Sequence, residues 1–110
     1  MVKYYIDKKS DEWRKNMTNK IHTEAVDDLF DAILTLKDKE ECYRFFEDIC
    51  TVNELLSISQ RFAVAKMLKD KRTYHDIAEK TGASTATISR VNRSLNYGND
   101  GYDIVFNRVE

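Results

Sequence analysis

The stretch Tyr74–Arg93, YHDIAEKTGASTATISRVNR, decides the fold. Ile77 and Ala78 face inward on a short first helix, and Gly82 sits where the chain must turn. Ile88 and Val91 then recur three residues apart, giving a second helix its buried side. This is the spacing of a helix-turn-helix. The other side of the second helix carries Ser84, Thr85, Thr87, Ser89, Arg90, Asn92 and Arg93, with no acidic residue among them. Hydroxyl, amide and guanidinium groups are the side-chain types that hydrogen-bond to phosphates and base edges. A helix so presented fits the DNA major groove.

Outward from this unit, the apolar spacing is helical almost throughout, and the chain of 110 residues has no proline and three glycines. The expectation is an all-α protein of six or seven helices. Val26, Leu29, Phe30, Ile33 and Leu34 stand at the positions of an amphipathic helix. Cys42, Phe45, Phe46, Ile49 and Cys50 repeat that pattern on a helix opened by Asp38. Thr51 and Glu54, three apart, make a capping box for a long helix through Leu55, Ile58, Phe62, Ala65 and Leu68. Thr73 with Asp76 makes a similar cap, and Ser84 is a candidate N-cap for the second helix of the unit. Gly98 is expected to supply a left-handed stop. Asp100 then starts a last helix with Tyr102, Val105, Phe106 and Val109 on one face. Residues 1–22 are weakly periodic, with Ile6, Trp13, Met17 and Ile21 as a loose stripe, and read as an N-terminal arm. Residues 23–110 read as one domain.

The net charge of −1 divides unevenly along the chain. Residues 1–22 balance at +3, 23–60 at −7, 61–95 at +5 and 96–110 at −2. Positive charge therefore gathers on the helix-turn-helix and the helix before it, the footprint expected of a phosphate-binding face. Cys42 and Cys50 lie eight residues apart on one helix, a rise of about 12 Å, too far for a disulfide. They read as buried free thiols in a reducing cytoplasm. No apolar run approaches the roughly 18 residues of a membrane span, and no leader resembles a signal peptide.

Catalytic chemistry finds no constellation. His22 and His75 are isolated, without a Cys or carboxylate at ligand spacing. No glycine-rich phosphate loop or GxSxG elbow is present. Asp27, Asp28 and Asp31 lie on the outer face of an amphipathic helix, where acidic residues are ordinarily solvated. The expectation is no catalytic residue, no metal and no cofactor. The apolar stripes, by contrast, offer more surface than one small chain can cover. A dimer packing its terminal helices across a two-fold axis resolves this, and places two reading helices about 34 Å apart for a palindromic site.

The segment Thr81–Gly98, TGASTATISRVNRSLNYG, resembles the reading-helix segment of the Trp repressor superfamily. Glu40–Leu68, EECYRFFEDICTVNELLSISQRFAVAKML, is similar to that fold's central helices. The likeness covers roughly residues 24–110 and points to the Trp-repressor-related YerC/YecD family of bacterial proteins, which have a proposed role in transcriptional regulation. It implies an intertwined, all-helical homodimer.

It also implies a pocket. In the repressor an indole ring lies between two arginines, lined by threonine and serine, and the matching positions here are Thr51, Arg61, Thr87, Arg90 and Ser94. One position departs: the glycine after the second arginine is Val91, whose isopropyl group enters the space where the ligand approaches. Tryptophan is therefore not expected as corepressor, and no other effector is specified. The expected DNA surface is Ser84, Thr85, Ala86, Ser89, Arg90 and Arg93, with Lys66, Lys69, Lys71 and Arg72 as flanking backbone contacts. The competing readings are a protein-interaction adaptor reusing the scaffold, and a tryptophan-dependent repressor.

Overall fold

Five of the six helices among the described residues start on a side chain that accepts from a backbone N–H the helix itself leaves open. The computed structural model describes residues 20–109, and the stripe of Ile6, Trp13 and Met17 lies outside them. Among the described residues six helices follow one another: α1 (Glu24–Ile33), α2 (Lys39–Ile49), α3 (Val52–Lys69), α4 (Tyr74–Thr81), α5 (Thr85–Tyr97) and α6 (Gly101–Phe106). There is no strand among the described residues.

The expected caps are in place. Asp38 Oδ1 accepts from Glu41 N–H at 2.9 Å, and Thr23, which the sequence reading did not single out, adds a further cap by accepting through Oγ1 from Val26 N–H at 3.1 Å. At α3 the box is reciprocal. Thr51 Oγ1 accepts from Glu54 N–H at 3.1 Å, while Glu54 Oε1 accepts from Thr51 N–H at 2.9 Å. Thr73 caps α4 by accepting from Asp76 N–H at 3.1 Å, but the Asp76 carboxylate turns instead to Arg72. Ser84 caps α5, accepting from Thr87 N–H at 3.1 Å.

The chain divides into two compact units that part after Phe45. In the first, α1 turns its stripe partly outward: Phe30 is 52% exposed and Leu34 82%. In the second, Val64 and Ala65 of α3, Ile77 of α4, Ala83 of the turn, and Ile88 and Val91 of α5 form one buried cluster. Fully burying such aliphatic side chains stabilises by about 1.5–3 kcal/mol each. Tyr102 and Phe106 of α6 pack against this cluster, with the Phe106 ring 5.3 Å from that of Phe62 and 5.9 Å from that of Tyr102.

Four expectations are corrected. Gly98 is not left-handed: its φ is −86°, and the left-handed residues near it is Asp100 at φ 65°. Glycine is needed at 98 for another reason, because a β-carbon there would lie 2.3 Å from the Ser94 carbonyl oxygen. The last helix is short. It ends at Phe106, so Val109 falls outside it, and Val105 stays exposed while Tyr102 and Phe106 pack inward. On α3, Ile58 is 51% exposed and the fully buried residues are Val64 and Ala65, since the core forms only against the C-terminal half of that long helix. The thiols are free but not buried. Cys42 is exposed and Cys50 half-buried, on a stripe whose Ile49 is itself exposed.

The end of α3 carries a feature with no glycine to announce it. Arg72 N–H donates to Met67 O and Lys71 N–H to Leu68 O, both at 3.0 Å. That is the paired closure of a Schellman motif, and its left-handed position is Lys71, at φ 64°.

Candidate nucleic-acid interface

The reading unit is built by α4, the turn and α5. Gly82 takes φ 73° as the stop of α4, and its N–H donates to Ala78 O at 2.8 Å. Thr81 fastens the turn on both sides: its hydroxyl donates to Ile77 O at 2.7 Å and accepts from Ala83 N–H at 3.1 Å. From outside the unit, Gln60 of α3 donates through Nε2 to Thr81 O at 3.0 Å. The crossing of α4 and α5 is thus set by backbone-directed hydrogen bonds and by the Ile77/Ile88/Val91 cluster.

Of the residues expected to meet DNA, Ser84, Thr85, Ala86, Ser89, Arg90 and Arg93 are all exposed. They share one end and one side of α5, opposite buried Ile88 and Val91. Lys66, Lys69, Lys71 and Arg72 are exposed as well, at the end of α3 and in the turn after it. Of these, Lys69, Lys71 and Arg72 come together on a concavity of about 670 Å³. Leu68 joins them there, Asn92, Leu95 and Asn96 line it from α5, and Asp103 from α6. Asn92 stands among the polar residues the sequence places on the outer side of this helix, whereas Asn96 escaped that reading, although a spacing of four along α5 puts the two on one edge. Asn96 Nδ2 donates to Asn92 O at 3.0 Å and to its Oδ1 at 3.2 Å.

The pocket residues are distributed differently. Val91 is 3% exposed and part of the core. Thr87 and Ser94, seven apart, share the edge of α5 away from Asn92 and Asn96. Arg61 is exposed on α3. Thr51 is committed to its cap, about ten residues and hence roughly 15 Å of helix rise from Arg61. Among the described residues, no group of three or more His, Cys, Asp or Glu is gathered where it could hold a metal. No described helix is long and apolar enough to cross a membrane.

Comparison with known proteins agrees with this geometry. The family model described as Trp repressor protein matches residues 24–110. The uncharacterised protein YerC of Bacillus subtilis (strain 168) is 58% identical over 92 residues, covering 84% of this chain and 88% of that protein. A crystal structure of a TrpR-like protein from Eubacterium eligens superposes with a TM-score of 0.80 at 76% identity, over 82% of this chain and 93% of that one. A Staphylococcus aureus structure described as a candidate Trp repressor gives a TM-score of 0.79 at 59% identity, over 82% and 90% of the two chains. With a family model spanning α1 to the end of the chain, and solved relatives sharing the arrangement of helices, this protein belongs to the Trp repressor family.

Proposed function

We propose that this chain is a non-enzymatic, sequence-specific DNA-binding regulator of transcription that reads a palindromic operator as a homodimer in the cytoplasm. One observation carries the reading. The capped helix α5 presents an exposed face containing Arg90 and Arg93, in a segment from Gly82 to Gly98 that holds no carboxylate. An arginine bidentate to guanine contributes about 1–3 kcal/mol of discrimination, and hydroxyls on a first helical turn fix register through phosphates. Ser84, Thr85, Ala86, Ser89, Arg90 and Arg93 form the base-facing surface in this reading, and Lys66, Lys69, Lys71 and Arg72 the flanking phosphate contacts. Residues 23–110 act as the binding domain and residues 1–22 as an arm.

Membership of the Trp repressor family supports DNA as the partner. The dimer is supported by apolar side chains that the single chain leaves open, among them Leu34, Val52 and Leu56, exposed by 82%, 74% and 59%. Tryptophan is not the effector in this reading, because Val91 is used as core.

Selection of bound duplexes from a random pool is the test. A palindromic motif is expected, with affinity falling steeply as salt rises. No binding to any duplex at low salt would overturn the reading in favour of a protein-interaction adaptor.

A further inference from the structure

The cations beside the reading unit are not all available to a ligand. Lys69 Nζ lies 3.0 Å from Asp103 Oδ1, with both side chains about half exposed. Asp103 is not brought there by the ion pair alone. It stands on α6 between Tyr102 and Phe106, whose rings pack on the core and on Phe62, so the helix is held in place by apolar contact. The carboxylate is therefore presented to Lys69 by a docked element, on the same concavity that gathers Lys71 and Arg72. The polar side chains that join them there from α5, Asn92 and Asn96, are neutral and hydrogen-bonded to each other. Among the described residues, Asp103 is the only anion lining that concavity, beside three cations.

We propose that Asp103 is a built-in competitor of the DNA phosphate for Lys69, so that α6 sets how strongly the chain holds nucleic acid. This rests on the DNA-binding reading above. A phosphate oxygen approaching Lys69 competes with the Asp103 carboxylate for the same ammonium. An exposed ion pair is weak enough to yield to a polyanion, yet its breakage subtracts from the binding free energy. Lysine suits such an exchange, because its ammonium rides on a flexible stem and bonds as a point charge without fixed geometry. The edge of α5 involved, at Asn92 and Asn96, is the one away from Thr87 and Ser94. Control through Asp103 is thus separate from any pocket at those positions.

A double-mutant cycle on the full chain tests this, with duplex affinity measured over a range of salt. Asp103→Asn is expected to tighten binding about two- to fivefold at low salt, the range an exposed ion pair spans. The slope of log affinity against log salt should steepen by no more than the roughly 0.9 that one phosphate contributes. In a Lys69→Gln background the same change should do nothing, and Asp100→Asn, which removes one charge at the start of the same helix, should have a smaller effect than Asp103→Asn. An equal gain from Asp103→Asn with and without Lys69, or an equal gain from Asp100→Asn, overturns the proposal. If Asp103→Asn merely loosens α6, its effect persists in the Lys69→Gln background and is visible as a lower melting temperature. A parent protein that binds no duplex sinks the functional reading itself, whereas a parent that binds with a flat cycle sinks this proposal alone.

Discussion

At Gly98 a β-carbon would meet the Ser94 carbonyl oxygen at 2.3 Å, whereas at Gly82 the nearest heavy atom would be Gln60 Nε2 at 4.0 Å. The two glycines are therefore needed for different reasons, one for space and the other for its φ of 73°. Gly82→Ala should cost about 1–2 kcal/mol, the penalty for a left-handed L-residue, and Gly82→Asn should recover part of it because asparagine tolerates that region. At Gly98 neither alanine nor asparagine should be tolerated, since any β-carbon strikes backbone. Chemical denaturation of the four variants measures this, and a rescue by Asn at 98 would refute the steric account. Arg90 and Arg93 offer the functional counterpart. Replacing either by alanine should weaken operator binding by about 1–3 kcal/mol while leaving the melting curve in place, since both lie on the exposed side of α5. Loss at one base position would mark direct readout, and uniform loss with a shallower salt slope would mark a phosphate contact. Glycine 98 also shows where reading residues in isolation stops. A glycine after a helix suggests a left-handed cap, whereas the constraint at 98 is the carbonyl of the last helical turn, which the residue type alone does not announce.

Helix α5 is held by its own packing, with Ile88 fully buried and Val91 at 3% exposure. Val91→Gly should therefore destabilise the fold by about 2–4 kcal/mol, combining a lost core side chain with the poor helix propensity of glycine. In the parent protein, calorimetry with free tryptophan should show no binding near the micromolar range, and added tryptophan should leave DNA affinity unchanged. A tight, stoichiometric signal would mean that a pocket forms despite Val91. Element starts were legible because Asp38, Thr51, Thr73 and Ser84 act locally, each on a backbone N–H three residues ahead. Element ends were less so. The closure of α3 places lysine where glycine is usual, and the shortness of α6 is set by which of its side chains find Phe62 and the core.

At the scale of the molecule, the buried core among the described residues lies in α3, α4, the turn and α5, while Leu34, Val52, Leu56 and Val109 are exposed in the single chain. Light scattering at micromolar concentration should give about twice the chain mass of 12.9 kDa. A clean monomer would remove the two-half-site picture with it. The all-helical architecture and the reading unit were legible from the helical spacing of apolar residues such as Ile77, Ile88 and Val91, although their burial is completed by Val64 and Ala65 of α3. The concavity of Lys69, Lys71, Arg72, Asn92, Asn96 and Asp103 was not, because it joins segments up to 34 residues apart.

Lys71 sits at φ 64°, a conformation that costs an L-residue about 1 kcal/mol or more and glycine little. The chain thus holds a strained backbone position at a lysine that lines its cationic concavity, where a glycine would make the better helix end. Lys71→Gly should raise the melting temperature while lowering affinity for duplex DNA, two responses of opposite sign from one substitution. Such a trade between firmness and grip means that this turn cannot be made sturdier without making the protein a poorer binder.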